Sequence, residues 1–422
     1  MYLFLLISCF IFFYYLLYIY WIKQLLLSFS YLIVSFLLLF YWLSLIPIPF
    51  FSGFVNYIFI TDNGNIGFHL LIIVLFPIIY WVCTFESKTI KLLVFTLILV
   101  LLLIIIFLIY SYFNYIIIYE LSSLILVIKF LLSLFSYYRI RTSLYYYCIS
   151  LFGNLFYLIG LILLLFTLFI YILFISIPFL IKIPCFPFYY WLPEVHCEAN
   201  TSISLLLAGL LLKLSLFGLV RLLISSFINV IRLLCNYYIN STLIGLSFIS
   251  FSFYRFIDLK KIIAFSSIIH LNIILIAISS LNSIGLLSLF FILLSHSLSS
   301  IGLFFIIGYI IDRTYSRCID SFYFVFIIIM VLFLCILLIN LNFPGSFNFI
   351  TELTTLTAIY SICIYIILVL LTLSFLESFI LFIILNKKIP FHSYFSLFIS
   401  LYFFNIIIIG LSYGLGFTVI TI

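Results

Sequence analysis

Two lysines, Lys182 and Lys213, lie inside strongly apolar sequence. Three prolines separate them: Pro184, Pro187 and Pro193. A charged side chain at the centre of a bilayer costs about 2.5–3.5 kcal/mol on insertion scales, so such residues usually mark a pathway. Each proline also removes a helical hydrogen bond, which is tolerated only against protein or a wet cavity. The pair therefore predicts a hydrated, titratable site around a broken helix.

Two acidic residues have similarly apolar surroundings. Glu120 lies about two turns into an apolar segment, and Glu352 follows the Pro344-Gly345 pair by about two turns. Each could be a neutral acid held protonated by burial, but intramembrane carboxylates are rare and usually functional. We interpret both as proton-exchanging groups. For Glu377 the sequence offers no partner, and both interpretations stay open.

The next titratable candidates lie in two consecutive apolar segments, which contain His270 and His296. A lone histidine on an apolar helix is often a core residue, yet its ordinary pKa near 6.5 suits a proton relay. Lys260 and Lys261 begin the segment of His270. We interpret Lys261 as an interfacial anchor, and for Lys260 an anchor and a relay group both stay open.

The remaining charged residues are given ordinary roles. Lys129 is expected to extend its ammonium group to the membrane interface. Four further residues are assigned to loops or helix ends, where solvation makes charge inexpensive: Asp62, Glu194, His196 and Glu198.

Along the chain the candidates alternate as acid, lysine, lysine, histidines and acid. A charge change at one site alters proton binding at its neighbour, so such a series can load and release protons without a cofactor. The nine scattered cysteines form no CxxC or Cys/His cluster, which argues against iron–sulfur and zinc sites. Nucleotide motifs are also absent from the sequence. The driving force must therefore come from elsewhere.

The elements that position these residues follow from composition. The chain is 68% hydrophobic and 6% charged, which predicts an all-α polytopic membrane protein. We count about 14 transmembrane helices, of which the seventh and the twelfth are discontinuous. Paired broken helices are typical of transporters built from two inverted repeats. One domain is expected: N-terminal helices in 1–90, a first repeat in 91–226, a second in 236–386 and a C-terminal helix in 387–422.

The amino-acid composition indicates in which genome the protein is encoded. Five alanines accompany 54 phenylalanines and 33 tyrosines, a bias that AT-rich codons produce. The first residues show neither a secretory signal nor a transit peptide. Both observations predict an organelle-encoded protein.

Several runs carry a family resemblance. The run KIPCFPFYYWLPEVHCEANTSISLLLAGLLLKLSLFGLVRL resembles the signature of the subunit 4 family of mitochondrial NADH dehydrogenase, the antiporter-like membrane subunits of respiratory complex I. The runs DLKKIIAFSSIIHLNIILIAI, SHSLSSIGLFFIIGYIIDRTYSR, NFPGSFNFITEL and YIIIYELSSLILV resemble other segments of that family. The resemblance covers roughly residues 60–380 in the same order. Tyr189 and Asn200 depart from it, where the family has histidine and proline.

The resemblance implies that seven residues form a proton pathway: Glu120, Lys182, Lys213, Glu352, Lys260, His270 and His296. It implies a proton-translocating subunit of NADH:ubiquinone oxidoreductase in the mitochondrial inner membrane. NADH, FMN, iron–sulfur clusters and ubiquinone would be bound by other subunits, and this chain would bind no cofactor or metal. Expected partners are membrane-arm subunits, in particular antiporter-like subunits 2 and 5, and membrane lipids, but no nucleic acid.

Two other functions stay open. The chain could be an independent Na⁺/H⁺ antiporter-type secondary transporter of related fold, because buried charges alone do not separate the two. It could also be a structural subunit that has lost pumping, although retention of the four key charges argues against this.

Overall fold

The structure is a computed structural model of the 422-residue chain. It describes residues 90–109, 112–133, 136–163, 168–225, 228–253, 258–280, 282–318, 327–342 and 346–360, with single positions at 75, 79, 82, 83 and 256. Several predictions fall outside these residues: the first two and last two apolar segments, Asp62 and Glu377.

The described residues form helices and no strand, apart from an isolated bridge between Asp258 and Cys318. The chain divides into two compact units, residues 1–135 and 136–422. The first unit contains α1 (Ile90–Leu108) and α2 (Tyr112–Leu132), which pack against each other.

The second unit contains the other helices. Its first half consists of α3 (Tyr137–Leu163), α4 (Leu168–Lys182), α5 (Trp191–Glu198), α6 (Thr201–Leu206), a π-helical segment (Leu207–Leu211) and α7 (Leu212–Ser225). Its second half consists of α8 (Ile228–Phe253), α9 (Leu259–Ser279), α10 (Ser283–Thr314), α11 (Ile327–Asn340) and α12 (Phe347–Tyr360).

Helix α9 lies at the centre of the second unit. It packs against α5, α8, α10 and α12, and its most apolar stretch of 18 residues is entirely buried. Helix α10 contacts α6, the π segment, α9, α11 and α12. At Gly308, α10 approaches α6 so closely that a Cβ atom would overlap the side chain of Thr201. Glycine is required there because it alone has no Cβ.

Five helical stretches among the described residues are long and apolar enough to cross a membrane, and one of them runs through α6, the π-helical segment and α7. Helix α3 also exposes a stripe of large apolar side chains at helical spacing: Leu144, Leu151, Leu155, Leu158 and Ile162. Such a stripe suits lipid or a partner helix rather than water. The prediction of an all-α polytopic membrane protein is confirmed. The count of 14 helices, the inverted repeats and the four-part domain division stay predictions.

Both segments predicted to be discontinuous are interrupted. Residues 183–190 separate α4 from α5, and we call them the first break. Between α11 and α12, the described residues 341, 342 and 346 are not helical, and we call these three residues the second break. Pro184 and Pro187 located the first interruption correctly, whereas Pro344 lies outside the described residues.

Candidate functional site

Lys182 is the last residue of α4 and is buried. The carbonyls that the helix end leaves without partners are taken up by the break itself. Ile183 N donates to Phe179 O at 2.8 Å, and Cys185 N donates to Leu180 O at 3.3 Å. The first break therefore satisfies the end of α4 from within its own sequence.

Trp191 completes this arrangement. Its indole Nε1 donates to Ile181 O at 2.9 Å, and its ring lies 5.3 Å from that of Tyr146. The tryptophan is buried, so a large apolar surface and one hydrogen bond fix the position of α5 against the end of α4. This contact holds the main chain next to Lys182.

Lys213 is fully buried at the second residue of α7. Just before it, the chain is π-helical, and the Leu212 N–H bonds to Leu207 O, five residues back. This register leaves the Ala208 carbonyl without the usual bond from Leu212, and Nζ of Lys213 donates to it instead. Single π turns inside α-helices are frequent at functional sites. Here the turn supplies an acceptor for a buried ammonium group.

Three buried imidazoles interact electrostatically with this lysine. His270 on α9 and His296 on α10 are buried, and their ring centroids lie 5.1 Å apart. Both are electrostatically coupled to Lys213, as is His196 on α5. We refer to Lys213, His196, His270 and His296 as the lysine–imidazole cluster.

The assignment of His196 to a solvated helix end is wrong. Its side chain is fully buried, and its ring stacks on that of Phe304 at 4.5 Å. Neither ring nitrogen has a hydrogen-bond partner among the described residues. Helix α5 is too short to span a membrane, and it is buried because α3 and α9 pack against it.

Lys260 is buried as well, and it is also coupled to His196. Its Nζ donates to Ala199 O at 2.7 Å, at the carbonyl end of α5. An ammonium group next to a helix C-terminus is favoured by the helix dipole. The burial of Lys260 argues against an interfacial anchor, and its role as a relay group stays a prediction. Lys261 is partly exposed and lies 3.9 Å from Asp258, consistent with an interfacial anchor.

The second break positions Glu352. Helix α11 ends at Asn340, and Asn342 has a φ of 59°, in the left-handed region. The side-chain amide of Asn342 lies near the Glu352 carboxyl group. Within the described part of the chain, no ion pair joins Glu352 to the lysine–imidazole cluster.

Glu120 belongs to the first unit, on α2. The Ser123 hydroxyl donates to its Oε2 at 3.1 Å. Lys129, further along the same helix, is buried, and its Nζ lies 3.6 Å from Cys83 Sγ. The prediction that Lys129 extends to the membrane interface is therefore wrong. The structure thus adds a buried lysine on the helix of Glu120.

Polar amides near the second break were not predicted as functional. Asn340 is buried beside both His270 and His296, and Asn348 donates to Ser299 Oγ at 3.5 Å. An uncharged amide carries little signal in a single sequence. Its position directly before a helix break was the one available indication.

Chemically, the lysine–imidazole cluster can hold and transfer protons. A positive charge on Lys213 disfavours protonation of the three rings, and the apolar surroundings strengthen this repulsion. The protonation of each group therefore depends on that of the others. No group of three or more metal-ligating side chains occurs among the described residues.

Comparison with known proteins identifies the family of the chain. The model of the family described as NADH:quinone oxidoreductase/Mrp antiporter, transmembrane, matches residues 65–377. The chain belongs to this antiporter family. It is 37% identical over 186 residues to NADH-ubiquinone oxidoreductase chain 4 of Acanthamoeba castellanii, which is 43% of this chain and 37% of that protein.

A second antiporter-family relative is NADH-ubiquinone oxidoreductase chain 4 of Arabidopsis thaliana. It is 31% identical over 245 residues, which is 53% of this chain and 49% of that protein. The chain thus spans less than half the length of these curated relatives. The family resemblance drawn from the sequence motifs is confirmed.

Solved structures share the fold of this antiporter-family chain. A chain of the archaeal membrane-bound sulfane sulfur reductase has a TM-score of 0.75 at 18% identity, with 94% of this chain and 91% of that chain covered. A chain of respiratory complex I from Thermus thermophilus with bound NADH has a TM-score of 0.71 at 18% identity, with 85% and 84% covered. At this identity the likeness concerns the fold alone.

Proposed function

We propose that the chain is a proton-translocating membrane-arm subunit of NADH:ubiquinone oxidoreductase, respiratory complex I, in the mitochondrial inner membrane. The observation that carries the proposal is the burial of Lys213 among three imidazoles. Maintaining a fully buried lysine is costly unless its charge is used. The names of the relatives supply the enzyme to which this proton site belongs.

The pathway uses the buried titratable groups of the second unit. Protons reach Lys213 from the side of Lys182 and leave through His270 and His296 toward Glu352. Glu120, in the first unit, is a further proton-exchanging group of the proposed series. His196 interacts electrostatically with both Lys213 and Lys260, and through it Lys260 tunes the charge of the cluster. The wet first break gives Lys182 access to water.

Energy for translocation comes from partner subunits. Moving one proton against 100 mV costs about 2.3 kcal/mol, and the sequence contains no nucleotide or redox motif. NADH oxidation and quinone reduction occur in other subunits, which hold NADH, FMN, iron–sulfur clusters and ubiquinone. Antiporter-like subunits 2 and 5 are the proposed neighbours in the membrane arm, with lipid around them.

The complete chain has about 14 transmembrane helices in two inverted repeats. The two breaks support this arrangement, because each interrupts a predicted helix. Lys182 precedes the first break, and Glu352 follows the second. Codon-driven composition supports an organelle-encoded protein.

Replacing Lys213 with methionine tests the proposal. The assembled complex is isolated, reconstituted into vesicles and supplied with NADH and a quinone, and both NADH oxidation and internal acidification are recorded. We expect Lys213→Met to assemble and to lose proton translocation, because methionine fills the same volume without a titratable group. Lys261→Met is the matched control, since Lys261 is partly exposed outside the cluster.

Two outcomes contradict the proposal. One is normal acidification by an assembled Lys213→Met complex. The other is an equal loss in Lys261→Met, which would trace the effect to lysine replacement in general. Failure of the chain to co-migrate with NADH dehydrogenase subunits in native gels would also refute membership in complex I.

Na⁺/H⁺ antiport is the second candidate, and the family description, which names Mrp antiporters, favours it. The two functions differ in their requirement for sodium and for partners. Sodium-dependent proton exchange by the isolated chain in vesicles would establish the antiporter. Acidification that needs NADH and persists without sodium supports the complex I subunit.

A further inference from the structure

One hydroxyl group joins three helices beside the second break. Ser299, on α10, is 4% exposed, and its Oγ donates to Oδ1 of Asn340, the last residue of α11, at 3.1 Å. The same Oγ accepts from Nδ2 of Asn348, the second residue of α12, at 3.5 Å. The helices on the two sides of the second break are therefore bonded to a single side chain of a third helix.

The direction of the Ser299 bond follows from its one hydrogen. Two acceptors lie within reach, Asn340 Oδ1 at 3.1 Å and the His296 carbonyl at 3.2 Å. The His296 carbonyl lies inside α10 and already accepts the helical N–H of Ser300. Asn340 is buried, and a buried acceptor that loses its donor is costly. The hydrogen is therefore directed to α11, and the lone pairs of the same oxygen serve α12.

The two amides differ in how many bonds hold them. Asn340 Nδ2 also donates to Ser266 Oγ on α9 at 3.3 Å, so the amide of α11 is bonded on both sides. Asn348 is buried, and its Oδ1 has no hydrogen-bond partner among the described residues. Within that part of the chain, Ser299 thus supplies the one hydrogen bond of the Asn348 amide.

The contact between α10 and α12 continues one turn away, next to two titratable residues. Ser295 Oγ lies 3.4 Å from Thr351 Oγ1. His296 directly follows Ser295, and Glu352 directly follows Thr351. The bonds that hold α12 against α10 at these positions therefore also set the separation of the His296 and Glu352 main chains.

Hydrogen bonds are well suited to this task inside a membrane. Lipid tails are as apolar as the side chains of the helices, so apolar burial alone drives little association between helices. Hydrogen bonds between helices, together with close packing, then hold one arrangement.

We propose that Ser299 is a positioning residue: its hydroxyl pins both helices that flank the second break to α10, and so sets the distance between His296 and Glu352 for proton transfer. The inference rests on the proposed proton-translocating function and assigns a task to an uncharged residue outside the titratable series. A shift of α11 or α12 against α10 breaks one of the two bonds and changes that distance.

The positions of the two flanking helices can be measured in the full chain in lipid vesicles. Genetically encoded spin-labelled residues replace Leu332 on α11 and Ile350 on α12, which are 51% and 54% exposed, and double electron–electron resonance gives the distance between the labels. With Ser299 present we expect one narrow distance distribution. Ser299→Ala should broaden it, because alanine offers neither a donor to Asn340 nor an acceptor to Asn348.

Ser300→Ala is the matched control. Ser300 is buried on the same helix, but in the described part of the chain its hydroxyl donates only to Ser297 O of α10, at 3.1 Å. This variant should keep the narrow distribution, and Ser299→Thr should restore it because threonine retains the hydroxyl. Asn348→Ala releases α12 alone and should broaden the distribution, which keeps the test decisive if Ser299→Ala does not fold.

Two results of the distance measurement overturn the proposal. One is a narrow, native distribution in folded Ser299→Ala or in Asn348→Ala. The other is equal broadening in Ser300→Ala, because the loss of any hydroxyl on α10 would then suffice.

Proton translocation by the assembled complex is the second measurement. For Ser299→Ala we expect about fivefold less acidification per NADH oxidised, the factor that one hydrogen bond accounts for, and restoration in Ser299→Thr. A broadened distribution with native acidification would refute the positioning role. Normal translocation in Lys213→Met would instead refute the proposed function, whereas the distance distribution tests the Ser299 bonds independently of it.

Discussion

The two breaks of the second unit differ in where their hydrogen bonds come from. At the first break, the donors to the end of α4 are Ile183 N and Cys185 N within the break and the Trp191 indole directly after it. At the second break, the last residue of α11 is bonded to α9 and α10 through its side chain. The first break is closed locally, whereas the second depends on its neighbours.

This difference separates two tasks. A break that is closed locally can keep its shape while the surrounding helices rearrange. A break that is held by other helices moves with them. Variants of each break can test this difference.

The largest effect is expected at Trp191. Trp191→Ala removes a buried indole and should destabilise the protein by about 3–5 kcal/mol, because truncation of large buried aromatics leaves a cavity. Trp191→Phe keeps most of the volume and leaves the Ile181 carbonyl without its donor, which costs about 1–3 kcal/mol. Thermal melting of the detergent-solubilised protein should rank native above Trp191→Phe above Trp191→Ala. Equal melting of native and Trp191→Phe would show that the indole bond does not close the first break.

A smaller effect is expected at Asn342. Its left-handed backbone costs most residues about 1–2 kcal/mol, and a β-branched side chain fits it poorly. Asn342→Val should therefore lower the melting temperature. Asn342→Gly should preserve it, because glycine adopts this conformation readily, so the pair separates backbone strain from loss of the amide near Glu352. A destabilised glycine variant would assign the effect to the amide instead.

The smallest effect is expected outside both breaks, at Arg317. Its Nη1 donates to Glu198 Oε1 at 2.8 Å, which raises the pKa of the guanidinium group. The pair is partly solvated, so Arg317→Gln should cost less than about 1 kcal/mol. The difference from native should shrink as salt is added, since screening weakens such pairs. A loss as large as that of Trp191→Ala would contradict the view that the breaks dominate stability.

The sequence predicted the parts of the site that carry charge or break a helix. Lys182 and Lys213 were identifiable because charge is rare in apolar sequence, and the prolines located the first break. The burial of His196 was not predictable, because it depends on Phe304, more than a hundred residues away. Asn340 was missed for the same reason, since its importance lies in contacts with Ser266 and Ser299. Whether a side chain at the end of an apolar segment is buried depends on packing against distant parts of the chain, which hydropathy does not predict.

The length of α10 has a consequence for the membrane itself. Its 32 residues make a rod of about 48 Å, whereas the hydrocarbon core is about 30 Å thick. An ordinary tilt of about 20° does not absorb this difference, so the helix must extend beyond the hydrocarbon. Asp312 and Arg313 are exposed near its C-terminal end, and Arg313 lies over the ring of Tyr309 at 5.4 Å. That end is therefore suited to the headgroup layer, where bilayer thickness and lipid charge act on the same helix that carries His296.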